Sequence, residues 1–207
     1  MNLEQAIAAF PPPAGLTGLP LAVARRLDEC GIACAWFVHP PVVSVDQARA
    51  VRREPTEVGH CKNLYATPVR RGEGRNFLLS IPEHKRADFH GVARQIGTTK
   101  LQLIGAEGLL EVLGVTPGAV SPLCLVRPEA AAVTLLLDRD LREQEAVCFH
   151  PGINTASVSF SQADFGRFLD RLPNPIVWVE NLSWNTLKPW PPRGSRRGWP
   201  PRGARCP

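Results

Sequence analysis

The sequence has no apolar run long enough to cross a bilayer. Its longest, Ala130 to Leu137, falls far short of the ~20 residues a spanning helix needs, so no transmembrane helix is expected. An export leader is missing as well. The opening MNLEQAIAAFPPP carries Glu4 and has neither a basic leader nor a long apolar stretch, so a cytoplasmic location is expected. Without export, the six cysteines (Cys30, Cys34, Cys61, Cys124, Cys148, Cys206) are expected as reduced thiols rather than disulfides. The usual catalytic signatures are absent too: there is no G-x-S-x-G, no GxxxxGK[ST], no H-E-x-x-H and no CxxC pair. Acidic residues stop at Glu180. Beyond it stand six basic residues, whereas residues 1 to 180 carry 18 basic against 19 acidic ones, so the net charge of +5 belongs to the C-terminal end. The part that can fold therefore offers no strong general attraction for nucleic acid. Lysine is scarce before residue 180, which makes Lys62 in "CKNLYA" conspicuous.

What is present describes one soluble domain. A chain of 207 residues with 44% hydrophobic and 21% charged residues can bury a real core. The end of the chain differs in kind: "WPPRG" occurs at Trp190 to Gly194 and again at Trp199 to Gly203. Residues 181–207 are thus expected to be a Pro/Gly/Arg/Trp-rich tail, either an inert disordered extension or an arm that meets RNA by stacking and charge. Residues 1–18 read as an N-terminal extension and 19–180 as the domain. Leu19, Val23, Leu27 and Cys30 recur at helical spacing with Gly31 following, and "IACAWFV" then reads as a buried strand. Ser44 with Gln47 predicts a capped helix through Arg53. Strands are expected at 60–66 and 76–81, joined by a turn around Gly72 and Gly74, and at 101–104, 133–138, 146–149, 157–160 and 176–179. Helices are expected over Phe89–Ile96, Leu109–Leu113 and after Ser161. Short strands mixed with helices in no regular βαβ repeat predict an α+β domain rather than a doubly wound sheet.

Four features carry candidate chemistry. Lys62 either snorkels from a strand edge or binds an anion such as a phosphate. Cys148 and His150, two apart, share a strand face as a thiol–imidazole pair or a fragment of a metal site. Neither Cys30/Cys34 nor His60/Cys61 completes a zinc site by spacing, so no metal is expected. "GVTPGAVSP" (Gly114 to Pro122) is either a tight connection or a loop presenting backbone N–H groups to a ligand. "FHPGINTAS" (Phe149 to Ser157) sets His, Pro, Gly and Asn at a strand end, where sites are commonly built.

"CKNLYA", "LGVTPGAVSP" and "FHPGINTASV", in that order, resemble the YbaK-like, prolyl-tRNA-synthetase-associated domain family, trans-acting relatives of the synthetase's editing domain. "FVHPPVVSVDQA" and "PEHKRADFHGVARQIG" extend the resemblance over roughly residues 19 to 180, and the tail has no counterpart in it. The resemblance implies an α+β domain with a curved, barrel-like mixed sheet flanked by helices. It implies hydrolysis of mischarged aminoacyl-tRNA without a cofactor, acting on the acceptor end, with prolyl-tRNA synthetase as a further partner. Lys62 falls on the family's functional lysine, with Asn63 beside it. His150, Pro151 and Gly152 fall on the strand-end loop bordering the amino-acid pocket, with Asn154 just beyond, and Gly118 and Ser121 belong to the loop facing it. Ser44 stands where Thr is commoner, and Cys148 is an unexpected thiol; both bear on pocket size.

An aminoacyl ester on ribose is already activated, and the neighbouring hydroxyl can orient or deprotonate water, so positioning and electrostatics dominate. Lys62 would then anchor the ribose–phosphate end, and His150 is available as a base. The small residues Gly118, Ala119 and Gly152 point to an alanyl ester on proline tRNA. Two rivals are a non-catalytic tRNA- or synthetase-binding module and a cysteine enzyme using Cys148 with His150.

Overall fold

In the computed structural model, residues 1–69 and 74–181 are described. Strand β2 (Val58–Pro68) organises the domain. Its eleven residues are long enough to pair with three other strands. Along one edge, β3 (Phe77–Pro82) runs antiparallel, pairing Cys61 with Pro82 through Ala66 with Phe77. On the other edge, β6 (Ala146–Phe149) runs parallel to Val58–His60, and β4 (Leu101–Leu103) runs antiparallel to Ala66–Pro68. The eight strands of the described residues follow the order β1-β7-β6-β2-β3-β5-β8 with β4 branching from β2, where β1 is Ala35–Val38, β5 Thr134–Asp138, β7 Ala156–Ser161 and β8 Ile176–Val179. Pairing is mixed: β3/β5 and β5/β8 are parallel, β1/β7 and β6/β7 antiparallel. This is the expected α+β class. No regular βαβ repeat generates the sheet; the parallel contacts join strands that are far apart in sequence.

Among the described residues six α-helices flank it: α1 Leu3–Ala9, α2 Gly18–Glu29, α3 Val45–Val51, α4 Phe89–Gln95, α5 Ala106–Gly108 and α6 Gln162–Leu169. On α2 the predicted apolar stripe is real, with Val23 and Leu27 fully packed, and Gly31 lies just past its end. α6 buries Phe165 against Phe149 and Phe160 at centroid separations of 5.1 and 6.3 Å, which fastens β6 and β7 from behind. Ser161 and Asp88 cap α6 and α4 through their side chains.

Several elements depart from the sequence expectation. α1 occupies residues expected to carry no element; an Asn2–Gln5 capping box starts it, and Ala6 and Phe10 pack on Ala35 and Phe37 of β1. β1 starts at Ala35, three residues later than "IACAWFV" suggested. The segment 109–113 continues α5 as a wide π-helical turn ending at Gly114. At α3, Ser44 Oγ accepts from the Gln47 N–H as predicted, while the Gln47 side chain accepts from Val43 rather than Ser44. Gly72 and residues 182–207, hence the expected turn centre and nearly all of the tail, lie outside the described residues. Asn181 is packed against the domain: its amide donates to the Arg86 carbonyl (2.9 Å) and accepts from the Asp88 N–H (2.7 Å). Among the described residues no helix is long and apolar enough to cross a membrane.

Candidate active site

Because β6 and β4 take opposite ends of the same edge of β2, residues 61–65 between them have no strand neighbour on that side among the described residues. A cleft of about 580 Å³ opens there. One wall is β2 from His60 to Tyr65; others are Val42–Val51 with α3, the Pro117–Gly118 turn, and the strand end Cys148–His150. β2 thus supplies Lys62 and Asn63 to the cleft, and the end of β6 supplies His150.

Lys62 is half-buried, and burial lowers its ammonium below the ordinary lysine range, with Glu83 opposing and Arg49 reinforcing the shift. It remains a cation at neutral pH. Asn63 accepts a 2.6 Å hydrogen bond from the Ser80 hydroxyl on β3, which orients its amide. His150 Nδ1 lies 2.8 Å from the Ala156 carbonyl. A carbonyl only accepts, so Nδ1 carries the proton and Nε2 keeps its lone pair. Burial lowers the His150 pKa, against the contribution of the Ala156 bond, so the ring is neutral at pH 7. His39 stands edge-on to it at 5.7 Å and is itself held by the Pro40 carbonyl and the Ser157 hydroxyl.

The remaining predicted residues divide. Gly118 lines the cleft: its φ is +92°, and a Cβ there would lie 2.9 Å from the Val42 carbonyl oxygen, so glycine lets this loop lie on the backbone of the segment leading to α3. Ser121 is buried behind the cleft, where its hydroxyl donates to the His150 carbonyl (2.6 Å) and accepts from the Leu123 N–H (3.2 Å). It joins the two predicted loops without lining the cleft. Pro151 and Gly152 are buried away from the lining, Gly152 so close to α2 that a Cβ would meet the Leu19 side chain at 2.5 Å. Asn154 also lies outside the lining; its carbonyl accepts from the Val42 N–H (3.0 Å).

Other residues of the cleft carry no role from the sequence beyond His60, whose spacing to Cys61 completes no zinc site. Glu83, just past β3, receives Arg52 through two bonds (3.2 and 2.5 Å) and Arg49 Nε at 3.2 Å, which ties α3 across the cleft. Burial raises the Glu83 pKa, but the two arginines outweigh it and hold the carboxyl below its usual range. Glu54 and His60 line the wall beside Cys148. Burial of Glu54 is outweighed by its hydrogen bonds, so its carboxylate persists, while burial and Arg52 keep His60 neutral. Sequence periodicity held no signal for these residues, since strand register brings His60 to Cys148 while Glu54, Arg49, Arg52 and Glu83 arrive from a helix and from connections distant in sequence. Burial pushes the thiols of Cys61 and Cys148 up, so both are protonated at neutral pH.

Comparison with known proteins supplies the rest. The sequence profile of the aminoacyl-tRNA editing domain matches residues 39–168. The chain is 29% identical to prolyl-tRNA editing protein ProX of Acetoanaerobium sticklandii over 160 residues, 77% of this chain and 95% of that protein. It is 27% identical to prolyl-tRNA synthetase associated domain-containing protein 1 of Danio rerio over 189 residues, 86% of this chain and 98% of the relative. A crystal structure described provisionally as a trans-editing enzyme for prolyl tRNA synthetase superposes with a TM-score of 0.60 at 19% identity, covering 80% of this chain and 99% of the other, which establishes likeness of fold. With the profile spanning most of the folded domain and the cleft inside it, the chain belongs to the aminoacyl-tRNA editing domain family, deacylases of mischarged tRNA.

Proposed function

We propose that this chain edits in trans, hydrolysing the aminoacyl ester of mischarged proline tRNA with the alanyl ester as its best substrate. Lys62 draws the phosphate or ribose of the acceptor end to the cleft, Asn63 and the backbone at Gly118 hold the aminoacyl group, and water attacks the ester carbonyl carbon. The vicinal ribose hydroxyl orients that water; the ester C–O bond breaks to leave the free amino acid and the ribose hydroxyl. His150 Nε2 is an available proton acceptor beside the cleft. Pro151, Gly152, Asn154 and Ser121 act from behind, holding the loops that present Gly118 and His150.

The observation that carries this reading is one cleft holding a cationic Lys62 and a neutral, carbonyl-anchored His150 while its thiols are protonated. Protonated thiols weigh against a cysteine nucleophile. A small side chain is favoured by Gly118 together with the apolar wall of Val42, Val43, Val120 and Phe149, and bulk is rejected better than smaller competitors. Ala119 and Gly152, the other small residues behind the alanyl expectation, do not line the cleft.

Deacylation of alanyl, cysteinyl, seryl and threonyl esters on proline and cysteine tRNAs tests the proposal. The alanyl ester on proline tRNA should react fastest, and Lys62→Ala should lose at least about tenfold in kcat/KM, about 1.4 kcal/mol of transition-state binding, while remaining folded. A faster cysteinyl or seryl ester overturns the substrate assignment. Near-normal turnover by folded Lys62→Ala removes Lys62 from the site, and binding without cleavage by the wild type would leave a recognition module.

A further inference from the structure

β2 and β6 run parallel and pair His60 with Cys148 in register, which sets two metal-ligating side chains side by side on one face of the sheet. Glu54, from the connection between α3 and β2, reaches the same place, with Oε1 3.6 Å from Cys148 Sγ. One ligand atom from each of the three lies within 4.8 Å of the other two. Cys148 is 6% exposed, Glu54 and His60 are half-buried, and all three line the cleft.

We propose that Glu54, His60 and Cys148 bind a divalent transition-metal ion of the zinc class, leaving a coordination position open to the cleft. The site is independent of the deacylation proposed above, which routes no step through a metal. A carboxylate oxygen, an imidazole nitrogen and a thiolate sulfur are the three donor types that zinc takes, at about 2.0–2.2, 2.0–2.1 and 2.3 Å. Tetrahedral placement at those lengths separates the donors by about 3.3–3.6 Å. The Glu54–Cys148 pair already stands at that spacing, and the wider separations close by about 1 Å, which side-chain rotation supplies. The sulfur and nitrogen donors disfavour magnesium and calcium, which take oxygen ligands.

Charge balance agrees with this assignment. On loading, the Cys148 S–H proton leaves to solvent and the metal takes its place; nothing is oxidised or reduced. Thiolate, carboxylate and neutral imidazole then offset the two positive charges inside a partly dry wall. The Glu54 carboxylate and the backbone that carries His60 are also held from behind. The second carboxylate oxygen of Glu54 accepts from the Arg53 N–H (2.9 Å), and the His60 carbonyl accepts from the Glu83 N–H (2.9 Å). Arg52, the nearby guanidinium that would repel a cation, is engaged by the Glu83 carboxylate.

Titration of the full chain with Co²⁺, after chelation and under a non-coordinating reductant, tests the site. One equivalent should bind with a thiolate-to-cobalt charge-transfer absorption, and Zn²⁺ should displace it. Cys148→Ser should abolish the band and Cys61→Ser should keep it; His60→Gln and Glu54→Gln should each weaken Co²⁺ binding at least about tenfold. A wild-type protein without the band, or a band that survives Cys148→Ser, overturns the proposal. Should Cys148→Ser fail to fold, the half-buried Glu54→Gln and His60→Gln variants decide, and unchanged Co²⁺ affinity in both overturns it.

Discussion

Gly118→Ala tests whether the cleft is shaped by the close approach of one loop to the segment leading into α3. Two costs are separable there. At φ +92° an L-residue pays about 1–2 kcal/mol of backbone strain. The new Cβ also lies 2.9 Å from the Val42 carbonyl oxygen and 3.1 Å from Val43 Cα. Both are backbone atoms and cannot swing aside, so the loop or the segment must shift, an overpacking cost of about 1–3 kcal/mol. Gly31→Ala is the matched control, because Gly31 also has positive φ (+64°) but no atom within 4 Å of its would-be Cβ, so only the strain applies. Thermal unfolding should therefore place Gly118→Ala below Gly31→Ala by the overpacking difference, at about 2–4 °C per kcal/mol for a domain of this size. Deacylation should separate the two further. Displacing the turn at Gly118 should lower kcat/KM about tenfold or more, whereas Gly31→Ala, at the end of α2, should keep it. Equal melting temperatures together with wild-type activity in Gly118→Ala would refute the packing of the loop on Val42–Val43 as the determinant of the cleft.

Acid should destabilise the fold early, because His60 and His150 both have folded pKa values depressed by burial. The unfolded chain then binds more protons, so stability is complete above the ordinary histidine value near 6.5 and falls as pH drops through it. Melting temperatures from pH 8 to 5 should show the decline, and His150→Gln should flatten it; a pH-independent midpoint would be the contrary result. Asn174 donates its buried amide to the carbonyls of Ala130 (2.7 Å) and Val133 (2.9 Å), so Asn174→Ala should cost about 2–4 kcal/mol by urea unfolding with an unchanged m value, while activity survives in conditions where the variant is folded. Truncation after Asn181 removes six basic residues and Trp184, Trp190 and Trp199, so tRNA binding should weaken and its salt dependence flatten at unaltered saturating rate; coincident salt titrations would make the segment inert.

Local periodicity made much of the framework legible. The Leu19–Val23–Leu27 stripe, the Ser44 cap, the strand-like runs around 60–66, 76–81 and 146–149 and the closing "IVWV" each occupy the element expected of them. Motif order carried the family. α1 escaped notice because its burial amounts to one alanine and the contacts of Ile7 and Phe10, too few to make a stripe. The π-helical turn at 109–113 escaped because its apolar residues suit an ordinary helix equally well. Within the cleft, Lys62 stood out by being a lone charge in a strand and His150 by ending one. Glu54, Arg52 and Glu83 look in sequence like ordinary surface charges, and nothing near them hints that they converge.

Patterns a few residues long marked most of the helices and strands and the mixed α+β class, and with the family resemblance they singled out the two side chains proposed for the site, Lys62 and His150. Only the tertiary structure decided that β2 shares one edge between β6 and β4, and so that a cleft opens at residues 61–65. It alone set His60 against Cys148, drew Glu54 to both, and put Ser121 behind His150 to join two distant loops. The physical reason is that strand partner and register are selected by burying non-local apolar faces together. A residue's own neighbours along the chain carry no record of which strand, far away in sequence, will complete its surroundings.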